Sequence, residues 1–132
     1  MTRFAIDAAT ALRIVLEDRT VRPEHALVGP VVLRSHVLSS LYRQTRAGQL
    51  DEKAARAALD RLATMKIRLL GDRVSRATAF RIAGSLDGED TALAEYLAVA
   101  TLQADVLVTD DRELRRAAEG LIAMDGYDAL WR

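Results

Sequence analysis

Hydrophobic positions along the chain fall into short runs and helical stripes that alternate with polar breaks. Short apolar runs bounded by polar or turn-forming residues predict a sheet of four to five strands, over residues 3–6, 25–28, 67–70, 106–108 and 121–124. Apolar residues spaced three and four apart predict helices over residues 8–16, 31–47, 52–65, 73–86, 90–101 and 112–119, with a terminal turn at 127–131. The pattern therefore alternates strands with helices along the whole chain.

Strands that are separated by helices of this length are joined by crossovers, so neighbouring strands run parallel and helices cover both faces of the sheet. We therefore expect an α/β fold with a mainly parallel central sheet. The two helices predicted between Val31 and Met65 form an αα-hairpin that is inserted between two strands. The chain of 132 residues, 50% of them hydrophobic, is expected to form one domain over residues 1–132 with a substantial core.

Composition narrows the class of protein further. The chain has no cysteine, which excludes disulfides and thiolate metal sites. No segment approaches the length of a membrane span, and the apolar run at the amino terminus is shorter than a signal peptide requires, so we expect a cytoplasmic protein with no membrane partner. Basic and acidic residues number 19 each, so the overall charge gives no reason to expect nucleic acid, and any such binding needs a local basic patch.

Two of the predicted strands are followed by acidic residues. Asp7 follows the first strand, and Asp111 follows the fourth strand after Thr109 and Asp110. Ligands of open α/β sheets bind at the carboxyl ends of strands, and these acids would lie side by side there if their strands are neighbours. Carboxylate oxygens are ligands that Mg²⁺ and Mn²⁺ prefer, and such an ion activates water for phosphodiester hydrolysis. The alternative interpretation is that each aspartate only caps the helix that follows it.

Four segments carry a recognisable combination of residues. They are Phe4–Ala8 (FAIDA), Val31–Arg43 (VVLRSHVLSSLYR), Ala94–Ala100 (AEYLAVA) and Leu107–Leu114 (LVTDDREL). In this order they resemble the PIN domain of the VapC type, the toxin half of a bacterial toxin–antitoxin pair. The resemblance implies a PIN-like fold and an endoribonuclease that hydrolyses RNA with Mg²⁺ or Mn²⁺. It also implies a homodimer and a cognate antitoxin, whose amphipathic segment would lie in a groove above the acids, beside the αα-hairpin.

The resemblance assigns roles to individual residues. Asp7 matches the first acid of the family and Asp111 the last, which makes them the expected catalytic residues and metal ligands, and Thr109 matches a hydroxyl position. The chain departs from the family at two positions, because His36 stands where Glu is usual and Leu93 stands where Asp is usual. The loss of two carboxylates is expected to weaken metal binding and activity.

Other side chains can compensate in part for the missing acids. Asp90 precedes Leu93 by three residues on the same helical face and is a candidate third metal ligand. His36 is a candidate nitrogen ligand, although imidazole suits Zn²⁺, Ni²⁺ or Mn²⁺ better than Mg²⁺, and a packed or solvated side chain is the alternative. Asp110 is a further auxiliary candidate, which we expect to lean toward solvent.

Arginines near the predicted acidic edge are candidates for binding RNA phosphates. Three of them lie on the helix after the second strand, namely Arg34, Arg43 and Arg46, and three lie just beyond Asp111, namely Arg112, Arg115 and Arg116. The alternative for each of them is a solvated helix face.

The sequence therefore leaves three functions open. The first is a VapC-like, metal-dependent endoribonuclease whose activity is weakened by the loss of two acids. The second is a PIN-fold module that has lost catalysis and binds RNA or protein. The third is a phosphoacceptor signalling domain, which fits least: that site needs a paired acid after the first strand and a lysine after the last, whereas Asp7 stands alone and Asp125 follows Met124.

Overall fold

The computed structural model describes all residues 1–132 and contains five strands and six α-helices. In chain order they are β1 (Thr2–Ile6), α1 (Ala8–Glu17), β2 (His25–Pro30), α2 (Leu33–Arg46), α3 (Glu52–Thr64), β3 (Arg68–Leu70), α4 (Arg73–Ser85), α5 (Ala92–Gln103), β4 (Val106–Val108), α6 (Arg112–Ala118) and β5 (Met124–Asp125). A short 3₁₀ helix, Tyr127–Trp131, follows β5. None of the helices is long and apolar enough to cross a membrane.

The five strands form one sheet in the order β3-β2-β1-β4-β5, and every neighbouring pair is parallel. The predicted α/β class with a parallel sheet is therefore confirmed. In the centre of the sheet β1 pairs with β4, with Phe4 opposite Val106 and Ile6 opposite Val108. This pairing brings the carboxyl ends of the two strands to the same edge.

Helices cover both faces of the sheet in two packed groups. The first group contains α1, α2 and α3, and the second contains α4, α5 and α6. The chain moves outward through the first group, from β1 to β3, and returns to β4 through the second, so right-handed crossovers place the groups on opposite faces. The helices α2 and α3 lie between β2 and β3, as the predicted αα-hairpin requires.

Aspartate caps begin four of the six helices. The side chains of Asp7, Asp51, Asp72 and Asp111 each accept a hydrogen bond from the backbone N–H three residues later, at donor–acceptor distances of 2.8, 2.7, 3.1 and 2.8 Å. Each carboxylate satisfies one of the N–H groups that the first turn of a helix leaves unpaired. The capping interpretation is therefore correct for both acids that follow β1 and β4.

The predicted position of the last strand is wrong. Residues 121 and 122 do not pair with the sheet, Ala123 contributes only its carbonyl, which accepts from the Leu107 N–H at 2.9 Å, and β5 contains Met124 and Asp125. The reason lies in the turn that ends α6, because the N–H groups of Leu121 and Ile122 both donate to the Ala118 carbonyl. These groups are consequently not available to the ladder, and Leu121 remains 54% exposed.

The predicted start of α2 is also early by two residues. The N–H of Val31 donates to the carbonyl of Leu70 at 3.0 Å, which extends the pairing between β2 and β3 beyond Pro30. Val31 thus continues the strand pairing, Val32 is the N-cap whose carbonyl accepts the first helical hydrogen bond, from the His36 N–H at 3.0 Å, and α2 begins at Leu33.

Replacing Gly29 with Ala is expected to destabilise the fold by about 1–3 kcal/mol through overpacking. The added carbon would lie 2.9 Å from Leu33 Cδ1 and 3.4 Å from Ile67 Cδ1, and Leu33 is fully buried. The matched control is Gly84→Ala in α4, where no atom lies within 4 Å of the added carbon and a gain of up to about 1 kcal/mol is expected. Urea unfolding measures both changes, and equal effects at the two positions would contradict this packing argument.

Candidate functional site

The acidic edge of the sheet is built around three residues at the ends of β1 and β4. Asp7 follows β1 directly and is 6% exposed, while Thr109 follows β4 directly and is fully buried. Asp111 lies two residues further on, at the start of α6. The parallel pairing of β1 with β4 is what makes these three residues neighbours.

Thr109 connects the two aspartates. Its hydroxyl donates to Asp7 Oδ2 at 2.5 Å and accepts a hydrogen bond from the Asp111 N–H at 3.0 Å. The other oxygen of Asp7 accepts from the Thr10 N–H at 2.8 Å, and Asp111 Oδ2 accepts from the Leu114 N–H at 2.8 Å. Both carboxylates are thus held in fixed orientations, as binding or catalytic groups require.

Hydrogen bonds leave part of each carboxylate free for a ligand. A carboxylate has about four lone-pair sites, and Asp7 and Asp111 use two and one of them respectively within the protein. Two carboxylates are compatible with Mg²⁺, which usually keeps several waters and binds one or two carboxylates together with substrate phosphates. Helix capping and metal binding are therefore not mutually exclusive at these two residues.

His36 lies near this edge and contacts a residue that the sequence analysis did not single out. Its Nδ1 lies 2.8 Å from the hydroxyl of Tyr96, a residue of α5 that is 7% exposed. Burial, together with the negative charges of Asp7 and Glu95, raises the pKa of the Tyr96 phenol well above its usual range. Tyr96 is therefore a protonated phenol between the acidic edge and His36.

The structure does not bring Asp90 into a common site with Asp7 and Asp111. No three His, Asp or Glu side chains are grouped so that they could hold a metal ion. Asp90 is exposed and accepts a hydrogen bond from the Ala92 N–H at 3.0 Å, next to the start of α5. The predicted set of three acidic ligands is therefore not assembled.

Leu93 occupies a partly buried position that packs against the core. Together with Asp90, Glu113 and Arg116 it lines a cleft of about 660 Å³ between α5 and α6. An acid at this position would share the cleft with four carboxylates, those of Asp87, Glu89, Asp90 and Glu113, whereas leucine adds apolar contact to the core. The departure from the family pattern thus removes a charge and adds hydrophobic packing.

Two further acids lie at the same edge but are directed elsewhere. Asp110 is exposed, as expected, and its carboxylate lies beside Gly126. Asp125 ends β5, accepts from the Gly126 N–H at 2.7 Å and forms an ion pair with Arg132 at 3.2 Å. From the sequence, Asp125 is notable only as the residue after Met124, where a phosphoacceptor domain needs lysine, and it was not predicted to be a site residue.

The candidate phosphate-binding arginines differ in how they are engaged. Arg34 donates to the carbonyls of Leu62 and Met65 at the end of α3, at 3.4 and 3.5 Å, and thereby ties α2 to α3. Arg43 is exposed and donates to the neighbouring Ser40 hydroxyl at 3.1 Å, and the exposed Arg112 forms no ion pair. Of these three arginines, Arg43 and Arg112 can therefore bind an anion without breaking contacts between helices.

Arg115 is the candidate arginine that touches the site directly. It donates from Nη1 to the backbone carbonyl of Thr109 at 2.6 Å. This bond fixes the turn between β4 and α6, so the Arg115 guanidinium is engaged within the protein and is not a free cation for a phosphate.

Comparison with known proteins supports the fold. No protein-family model matches the chain, and no curated protein matches it. Among solved structures, the chain is similar to PAE2754 from Pyrobaculum aerophilum, with a TM-score of 0.73 and 23% identity over 98% of this chain and 92% of that one.

Two further similar structures are VapBC assemblies. A chain of VapBC-1 from nontypeable Haemophilus influenzae gives a TM-score of 0.62 and 13% identity over 95% of this chain and 98% of that one. A chain of VapBC2 from Rickettsia felis, bound to a DNA fragment from its promoter, gives a TM-score of 0.61 and 8% identity over 94% of this chain and 98% of that one. These likenesses, together with the five-stranded parallel sheet, confirm the predicted PIN-like α/β fold.

Proposed function

We propose that this chain is a VapC-like toxin of a toxin–antitoxin system, an endoribonuclease that hydrolyses RNA phosphodiester bonds with Mg²⁺ or Mn²⁺. The observation that carries the proposal is the pair of fixed carboxylates, Asp7 and Asp111, which Thr109 joins at the carboxyl ends of two neighbouring parallel strands. The similarity of the fold to chains of VapBC2 and VapBC-1 supports it.

The proposed chemistry divides between the ion and the side chains. A divalent ion at this edge would polarise the phosphate and the attacking water. Asp7 and Asp111 would hold that ion, and the Thr109 hydroxyl keeps the Asp7 carboxylate in place. Arg112, which directly follows Asp111, is an exposed cation that would bind an RNA phosphate beside the acids. The exposed Arg43 lies toward the far end of α2 and would bind a phosphate further along the RNA. In the reaction the water oxygen would form a bond to phosphorus and give up a proton to solvent, while the bond from phosphorus to one ribose oxygen breaks and that oxygen leaves as a hydroxyl group after taking up a proton.

The partners follow from the same proposal. A toxin of this type requires a cognate antitoxin and commonly a second copy of itself, and RNA as a substrate implies action in the cytoplasm. The hairpin of α2 and α3 presents exposed apolar side chains, with Leu38 50% and Tyr42 62% exposed, to which an amphipathic antitoxin segment or a second copy could bind.

A second function is favoured by a different observation. His36 and Leu93 replace two expected acids, and no group of three metal-binding side chains exists in the protein. Such a site could have lost catalysis while the fold still binds RNA or protein. The alternative is therefore a catalytically silent PIN-fold binding module.

Titration of Mn²⁺ and of Mg²⁺ into the protein separates the two functions. For the enzyme we expect calorimetry to show uptake of one ion per chain by about millimolar metal, the weak end of the range for a site with few charged ligands. The same metal should support cleavage of structured RNA, and excess EDTA should stop it. RNA binding without metal uptake or cleavage would instead establish the binding module.

A further inference from the structure

The contact between His36 and Tyr96 joins two helices that are far apart in sequence. Nδ1 of His36 lies 2.8 Å from the Tyr96 hydroxyl, and the two rings are tilted by 32° with their centroids 5.8 Å apart. His36 is the fourth residue of α2, which starts after the carboxyl end of β2, and Tyr96 is the fifth residue of α5. Both side chains therefore belong to the edge that carries Asp7.

The direction of this hydrogen bond follows from what each group can do. The Tyr96 hydroxyl has His36 Nδ1 as its one hydrogen-bond partner. A buried O–H without an acceptor is unfavourable, whereas an oxygen lone pair without a donor is tolerated more easily. The arrangement that satisfies the phenol is therefore the one in which Tyr96 donates and Nδ1 accepts.

The surroundings of Tyr96 keep the proton on the phenol. Burial, together with the negative charges of Asp7 and Glu95, raises the phenol pKa and disfavours a phenolate. The donor is thus present over the whole physiological pH range.

The other ring nitrogen of His36 is free. Nε2 has no hydrogen-bond partner in the protein, and it is absent from the buried unpaired atoms, which are His25 Nδ1 and Trp131 Nε1. It is consequently open to solvent or to a ligand at the acidic edge. A neutral imidazole whose Nδ1 accepts a hydrogen bond carries its single proton on Nε2.

We infer that Tyr96 holds His36 in the Nε2–H tautomer, and that this N–H donates to a non-bridging phosphate oxygen of RNA bound at the acidic edge. The inference rests on the proposed RNA-binding function for the identity of the acceptor. His36 is then a substrate-binding residue that carries a donor, not a metal ligand that offers a lone pair, and Tyr96 is its positioning residue.

This assignment explains what changes chemically when position 36 carries histidine and not glutamate. A glutamate there would add negative charge, which attracts a cation and repels phosphate. An imidazole N–H reverses this preference, because it offers a donor to phosphate oxygens and no charge when neutral. Position 36 therefore contributes to RNA binding, whereas a glutamate there would contribute to metal binding.

The tautomer can be measured without RNA, metal or activity. In the ¹⁵N-labelled protein, long-range ¹H–¹⁵N correlation of the imidazole should show His36 with a protonated Nε2 and an unprotonated Nδ1. The chain has only two histidines, so a His25→Gln variant assigns the signals. Tyr96→Phe should give a mixture of tautomers at His36 while the backbone spectrum stays folded. Protonated Nδ1 in the wild-type protein, or no change in Tyr96→Phe, would overturn the role of Tyr96.

Two replacements of His36 test the phosphate contact. Gln places an amide N–H₂ near the position of Nε2–H, whereas Leu has no donor, so RNA affinity in EDTA should fall within about twofold for His36→Gln and about tenfold for His36→Leu. Neither change should alter Mn²⁺ affinity. Loss of Mn²⁺ binding in both variants would instead identify His36 as a metal ligand and overturn the inference.

Failure of this inference is distinguishable from failure of the proposed function. If the wild-type protein cleaves RNA but His36→Leu binds RNA normally, the phosphate contact is wrong and the enzyme remains. If the wild-type protein neither binds nor cleaves RNA, the proposed function is wrong and the RNA contact falls with it, while the tautomer measurement still decides what Tyr96 does.

Discussion

Replacing Asp7 with Asn lowers metal-dependent RNA cleavage by at least about 100-fold, because it removes one of the two carboxylates on which the proposed ion depends. Asn has nearly the same shape and is itself a good helix cap, so the charge is the main property that changes. The buried network loses one acceptor, since one of the two donors to Asp7, Thr10 N–H or Thr109 O–H, then faces an amide N–H₂. A loss of about 1–2 kcal/mol in stability is therefore expected beside the loss of activity.

The chain offers a matched control for this change. Asp51 caps α3 through the same bond to the backbone N–H three residues later, but it follows a helix and is not at the end of a strand. Asn at position 51 should leave both cleavage and metal uptake unchanged. The variants are compared with the wild type by initial cleavage rates at saturating Mn²⁺ and by thermal unfolding. An Asp7→Asn protein that is folded and as active as the wild type would rule out Asp7 as a metal ligand.

Restoring both missing acids, with His36→Glu and Leu93→Asp in one variant, should raise Mn²⁺ affinity by at least about 10-fold, since divalent-ion affinity rises with the number of charged ligands. Without metal this variant should be less stable than the wild type. An acid at position 93 loses the packing of a partly buried leucine and lies in the same cleft as Asp90 and Glu113. Mn²⁺ should then recover stability in proportion to its binding.

The isosteric control for this variant is His36→Gln with Leu93→Asn, which changes the shapes similarly without adding charge. Its Mn²⁺ affinity should stay near that of the wild type. Calorimetric titration and the metal dependence of the melting temperature provide two independent readouts. If the acidic variant gains no affinity while it remains folded, positions 36 and 93 do not face the ion and the site has been placed wrongly.

The structure also changes what each predicted residue contributes to the site. Asp7, Thr109 and Asp111 are brought together, while Asp90 is left at the surface and Arg34 is used to join two helices. The acidic edge thus contains fewer ligands than the family resemblance implies. It also contains a buried tyrosine, Tyr96, whose contact with a site residue no pattern predicted.

Local signals explain why much of the fold was accessible from the sequence. Apolar runs and helical stripes are determined within a few residues, and the parallel sheet follows from their alternation. The caps at Asp7 and Asp111 were predictable for the same reason, because a cap acts on an N–H only three residues away. The prediction of the last strand was wrong because the N–H groups of Leu121 and Ile122 belong to the turn that ends α6.

What the sequence by itself determined is the order of strands and helices, the α/β class and the two acids that follow β1 and β4. Only the tertiary structure decided which side chains meet. The Thr109 hydroxyl reaches Asp7 across 102 residues and the Tyr96 hydroxyl reaches His36 across 60. Contacts of this kind depend on how helices and strands pack together. Packing is a property of the whole core, and no single stretch of sequence encodes it.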